Sequence, residues 1–122
     1  MTIQEALDEL LCVSADVTQA AVLDSDGVML ARTGRASDAS DGNVAVADAA
    51  DSLWHMAQGA VGEAGGGILG QLVVESGQGA TFMLVEAGRR IVATTGRRPA
   101  AGLVFFDLRA CLNDAFSGEA SS

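Results

Sequence analysis

Apolar residues recur along this chain in three helical stretches and five strand-like ones. Ile3, Leu7, Leu10 and Leu11 stand at helical spacing behind Thr2-Ile3-Gln4-Glu5, which has the form of a capping box, so residues 3–13 are expected to be a short amphipathic helix. Residues 17–23 are apolar and partly β-branched. Asp24-Ser25-Asp26-Gly27 follows, then the apolar run 28–31, and two such runs across an Asp/Gly turn predict a hairpin. Residues 32–42 are small and polar and are expected to be a mobile loop. An alanine-rich run over residues 44–61, without proline and without glycine before Gly59, predicts the central helix. Three strands are expected next, over 69–76, 80–86 and 90–95, joined by short glycine-bearing turns as an antiparallel meander. Pro99 pre-sets a last helix over 100–116, with Leu103, Val104, Leu108, Cys111, Leu112 and Ala115 on its apolar face. Residues 117–122 are expected to be a flexible C-terminal tail, leaving 1–116 as the domain.

The order α-β-β-α-β-β-β-α predicts an α/β (α+β) fold with a single five-stranded antiparallel sheet. Phe82-Met83-Leu84-Val85 is apolar on both faces of its strand, so helices are expected on both sides of the sheet. The terminal helices would share one face and the central helix would lie on the other.

The central helix carries more apolar surface than one sheet contact uses. At 100° per residue, Asp48, Asp51, Ser52, His55 and Gly59 form a narrow polar stripe, and apolar residues occupy roughly half the circumference or more. Part of that arc, with Trp54, is expected to face something other than the chain's own sheet. Complete burial in a monomer core is the alternative. The strand over 69–75 would be an unprotected edge in a single chain. A homodimer is therefore expected, with Ala50, Leu53, Trp54, Ala57 and Val61 of the helix and Leu69, Gln71, Leu72, Val73 and Val74 of the strand at its interface.

Composition narrows the classes of function. The 122 residues are 49 % apolar, enough for one globular domain with its own core. A net charge of −9 argues against nucleic acid or an anionic membrane surface as a partner. No apolar run approaches a membrane span and no signal segment opens the chain, so a cytoplasmic location is expected. All seven basic residues are arginines: Arg32, Arg35, Arg89, Arg90, Arg97, Arg98 and Arg109. Cys12 and Cys111 are expected on neighbouring helices as buried, reduced thiols.

The chemical motifs are weak. Asp24-x-Asp26-Gly27 resembles part of a calcium loop, but Val22 stands where an oxygen ligand would be needed and no later glutamate completes the pattern. Gly65-Gly66-Gly67-Ile68-Leu69-Gly70 spells GxGxxG, yet a helix precedes it and a strand follows, the reverse of the dinucleotide arrangement. His55 stands one turn beyond Asp51 and two beyond Asp48, but no GxSxG elbow or distant ligand set accompanies it. No GxxxxGK[ST] loop is present either. Neither an enzyme nor a bound cofactor or metal is expected.

Three stretches stand out: the strand–turn–strand Ala20-Ala21-Val22-Leu23-Asp24-Ser25-Asp26-Gly27-Val28-Met29-Leu30-Ala31, the run Gly66-Gly67-x-x-Gly70-Gln71-Leu72-Val73-Val74-Glu75, and Gly102-Leu103-Val104-x-x-Asp107-Leu108-Arg109. In this order they resemble the Roadblock/dynein light chain family. The resemblance spans residues 3–116 and rests on the order of elements. It implies homodimers in which central helices pack antiparallel across a two-fold axis and third strands pair into a ten-stranded sheet. It also implies a small Ras-like GTPase as partner, in a scaffold or regulator of the bacterial or archaeal kind. Arg89 and Arg90 are the candidates for contacting such a partner, with solvated turn charges as the alternative reading. A small-ligand sensor or structural scaffold of related fold is the second class of function.

Overall fold

The computed structural model describes residues 2–24, 26, 28–34, 52, 54–65, 70–76, 79–86 and 88–116. The predicted tail and most of the predicted loop lie outside them, as do Ala50, Leu53 and Leu69 of the expected interface. Helix α1 (Ile3–Val13) begins as the capping box predicts: the Glu5 N–H donates to Thr2 Oγ1 at 3.1 Å, and the Thr2 N–H donates to Glu5 Oε1 at 2.9 Å. These bonds from Thr2 hold the Glu5 carboxyl below its ordinary value.

Strands β1 (Val17–Leu23) and β2 (Met29–Gly34) form the hairpin. Its turn is closed by Asp24, whose carboxylate accepts the N–H groups of Asp26 at 2.8 Å and Val28 at 3.0 Å. That acid therefore shapes the backbone. Strand β2 continues three residues into the predicted loop, pairing Arg32, Thr33 and Gly34 with Ala21, Ala20 and Gln19. Helix α1 explains the extension. Thr33 Oγ1 donates to Asp8 at 2.9 Å and Gln4 Nε2 donates to the Arg32 carbonyl at 3.0 Å, so a polar edge segment is tied down by polar groups.

Helix α2 is described over residues 54–63, with residue 52 also helical. Strands β3 (Gln71–Ser76), β4 (Gly79–Glu86) and β5 (Arg89–Thr95) form the meander, and α3 (Ala101–Ala115) completes the order α-β-β-α-β-β-β-α. The sheet runs β2-β1-β5-β4-β3, antiparallel throughout, with β1 and β5 joining hairpin to meander.

Register sorts the side chains by face. Ala20, Ala93, Phe82 and Val73 align across four strands, and their neighbours Ala21, Val92, Met83 and Leu72 align on the opposite side. On the first side, Leu7, Leu10, Val104 and Leu108 bury against Val22, Phe82, Leu84 and Ile91. Phe82 meets Phe105 edge-on, with ring centroids 5.2 Å apart. Each such fully buried side chain contributes about 1.5–3 kcal/mol. On the second side, Trp54 of α2 joins Leu23, Met83 and Val92 in a smaller cluster. The two terminal helices thus share one face and α2 takes the other. The Ala100 N–H donates to Asp16 Oδ2 at 3.1 Å, which brings the start of α3 to the end of α1 and makes the two antiparallel.

At Gly79 the neighbouring strand's backbone comes close, because a β-carbon there would collide with the carbonyl oxygen of Thr95. Main chain cannot swing aside as a flexible side chain would, so Gly79→Ala should cost about 2 kcal/mol. Gly59, in α2 with open space around it, should gain roughly 0.5–1 kcal/mol as Gly59→Ala. Urea unfolding of the two variants, with midpoints moving in opposite directions, checks both expectations.

Candidate functional site: the outer face of α2 and the β3 edge

Trp54, Ala57 and Val61 stand at i, i+3 and i+7 and form the side of α2 turned to the sheet. Trp54 is only 5 % exposed and packs on Leu23, Met83 and Val92 of its own chain. The expectation that Trp54 faces away from its sheet is corrected: the largest apolar side chain of the helix takes the largest available burial. Ala57 and Val61, too short to follow it, are half-buried. The outward side holds Met56, 73 % exposed, and Ala60, also exposed. Both belong to the predicted apolar arc, although neither was among the expected interface residues. Their place two and six positions beyond Trp54 is the signal that finds them.

Strand β3 ends the sheet, with β4 as its strand neighbour. Leu72 is half-buried against the Trp54 cluster, Val73 packs on the main core, and Val74 is 41 % exposed on the α2 side. Gln71 is exposed. The Val85 N–H donates to the Gly70 carbonyl at 2.8 Å. Antiparallel alternation then directs the main-chain groups of Leu72 and Val74 toward β4, and those of Gln71, Val73 and Glu75 away from the sheet.

Arg89 and Arg90 are adjacent in β5 and therefore project to opposite faces. The Arg90 guanidinium lies 5.6 Å from the centroid of the Trp54 ring and the residue is 8 % exposed. Arg89 stands 4.1 Å over the ring of Phe116, the C-cap residue of α3. The solvated-turn reading of these residues is thereby corrected, since each cation covers an aromatic ring inside its own chain. By contrast Arg97 and Arg98, in the turn before α3, are exposed, and Arg98 holds a left-handed φ of 56°. His55 is exposed on α2, while Asp48 and Asp51 lie outside the described residues. Among the described residues no group of three His, Cys, Asp or Glu side chains is placed to hold a metal.

The cysteines differ. Cys111 is buried, its Sγ donating to the Ala6 carbonyl at 3.4 Å, and burial, then the charges of Asp114 and Glu9, push its thiol up to about 12. Cys12 is exposed, contrary to the expectation of two buried thiols. It stands about 200° around the helix from Leu10, off the buried stripe of Ala6, Leu7 and Leu10.

These features define a small α+β module whose sheet ends at β2 and β3 and in which, among the described residues, Met56 and Ala60 of α2 are exposed. Residues 3–95 match the Roadblock/LC7 domain family, and the chain belongs to that family. It is similar to a Roadblock/LC7 domain from Streptomyces avermitilis at 18 % identity and a TM-score of 0.83, each chain covered over 100 % of its length. Myxococcus xanthus MglB is 15 % identical with a TM-score of 0.80, over 98 % of this chain and 96 % of that one. The gliding protein MglB of Thermus thermophilus is 14 % identical with a TM-score of 0.78, over 93 % of this chain and 84 % of that one. No curated protein sequence matches the chain. No helix among the described residues is long and apolar enough to cross a membrane.

Arg90→Ala should destabilise the fold by about 1–2 kcal/mol, through the lost ring contact and the lost packing of its aliphatic stem, whereas Arg97→Ala should be close to neutral. Trp54 is the single tryptophan. Its emission should therefore shift in the Arg90 variant and not in the Arg97 one.

Cys12 should react with a maleimide in the native protein and Cys111 only after unfolding. The folded-state value of Cys111 lies above the ordinary 9.0. The folded state therefore holds its proton more tightly, and the stability linked to this thiol is present below pH 9 and lost as pH rises toward 12. Urea titrations across that range should show a decline that Cys111→Ala reduces.

Proposed function

We propose that the protein is a homodimeric, non-catalytic regulator or scaffold that binds a small Ras-like GTPase. The observation that carries the dimer is the pairing of an exposed apolar helix face, Met56 and Ala60, with an open strand edge at β3. Two copies related by a two-fold axis would lay α2 on α2 and β3 beside β3, covering both at once. Such an interface would bury on the order of 1,200 Å² or more. Leu72, Val73 and Val74 would continue the sheet across the axis, with Ala57 and Val61 at the seam, and Ala50, Leu53 and Leu69 as further members. Trp54 would support that seam from beneath. The partner class follows from membership of the Roadblock/LC7 family and from likeness to the two MglB proteins. A regulator of this kind acts by favouring one switch conformation of its partner and requires no chemistry of its own. Arg89 and Arg90 are engaged with rings of their own chain, so the exposed Arg97 and Arg98 are better placed to reach a partner in trans. A cytoplasmic setting suits such a partner.

Light scattering at micromolar concentration should give the mass of two chains. Met56→Asp should give one folded chain, because its charge would enter an apolar seam unpaired. Glu75→Pro, which removes an outward N–H, should weaken the dimer, whereas proline at Leu72 would strike the β3–β4 pairing instead. The functional test mixes the protein with the small GTPases of its own organism, loaded with GTP or GDP. The expected result is association with one of them in a nucleotide-dependent manner. No association in either state would remove this reading, and loss of accelerated hydrolysis in an Arg97→Ala, Arg98→Ala variant with binding retained would assign those arginines to the partner's site.

A further inference from the structure

On the side of the molecule away from α2, the antiparallel helices α1 and α3 leave an outward-facing groove of about 290 Å³ along their seam. Its floor is apolar, formed by Ala6, Leu10 and Cys111, and the small side chains of Ala6 and Ala110 keep it open. Its rim is acidic, with Glu9 from α1 and Asp107 and Asp114 from α3. The rise of the Cys111 thiol, caused in part by Asp114 and Glu9, reports the same negative field from beneath. One end of the groove is apolar beyond its floor. The contact of Asp16 with Ala100 sets the end of α1 beside the start of α3. Val13, Leu103 and Phe106 belong to these two ends and are 65 %, 58 % and 69 % exposed. They are three of the seven large apolar side chains exposed among the described residues, and soluble proteins seldom leave such a group bare without use.

We propose that the α1–α3 groove is a docking site for an amphipathic helix of another protein that carries lysine or arginine beside its apolar face. The groove is linear, because its α3 wall follows one helical stripe from Leu103 through Phe106, Asp107 and Ala110 to Asp114. A third helix packs naturally into the seam of an antiparallel pair, its apolar ridge entering between the small residues. Charge selects the occupant. With a net charge of −9, a second copy of this chain or an anionic polymer is repelled by the rim, whereas basic side chains gain three carboxylates. The chain's own residues 117–122 contain Glu119 and no basic residue, so they do not supply that charge. The groove lies across the sheet from the face assigned to self-association, and a homodimer would present two such sites.

The test uses a fluorescein-labelled helical peptide of about 18 residues, built from leucine and lysine at amphipathic spacing, and a companion with glutamate for lysine. Anisotropy is read at about 0.15 M salt, where weak surface attraction is screened. The lysine peptide should bind saturably, the glutamate peptide should not, and amide shifts on binding should cluster in α1 and α3. Ala110→Arg and Glu9→Lys alter exposed positions, and each should weaken binding about tenfold or more. His55→Ala, at an exposed position of α2 across the sheet, should leave it unchanged. Binding that ignores both groove variants, or shifts centred on α2, would overturn the proposal. So would a change in light-scattering mass on Ala110→Arg, which would make the groove a contact between copies of this chain. These outcomes are independent of whether a GTPase binds.

Discussion

The middle of the sheet has no solvent side, and most of the architecture answers to that. Phe82, Leu84 and Ile91 are fully buried toward α1 and α3, while Met83 and Val92, their neighbours along β4 and β5, are as fully buried toward α2. A strand apolar on both faces costs far more in water than it gains from its own hydrogen bonds, so helices must cover both sides. Once they do, the surface open to other molecules is limited to the sheet edges and the outer faces of the helices. Those are the places where the unexplained apolar residues lie.

Coverage of the two faces is unequal. Two helices span the face that holds Phe82, and one helix, about 10 Å across, lies over a sheet roughly 19 Å wide. Helix α2 therefore settles over the middle strands and leaves the β3 border partly bare, which accounts for the half-burial of Leu72 and the exposure of Val74. The same economy of cover turns Met56 and Ala60 outward. Among the described residues, Met56 of α2 and Val74 of β3 are large apolar side chains this side leaves exposed.

Arg90 shows how this fold handles charge inside an apolar layer. It aligns in register with Leu23 and Val85 beneath α2, where a bare guanidinium would be costly, and the Trp54 ring offers its face to the cation. Arg89 meets Phe116 on the other side at the end of α3, where the helix dipole also favours positive charge. The two arginines therefore tie β5 to a helix on each face. Adjacent positions in a strand cannot serve one common target, which is why a doublet in the sequence does not amount to a doublet in space.

Much of the fold was legible because its causes are local. Helical spacing in residues 3–13, the Thr2–Glu5 reciprocity, the Asp24 turn and the two-faced apolar run 82–85 each act within a few residues, and each produced the element expected. The extent of β2 was not legible, since Arg32-Thr33-Gly34 becomes strand only where Gln4 and Asp8 of α1 reach it. The exposure of Cys12 lay within reach of the helical wheel, which places it off the buried stripe. The targets of Trp54, Arg89 and Arg90 did not, nor did the groove between the first helix and the last. Those contacts join residues far apart in the chain, and only the register of β5 against β1 and β4 and the packing of α1 on α3 decide which side chains meet.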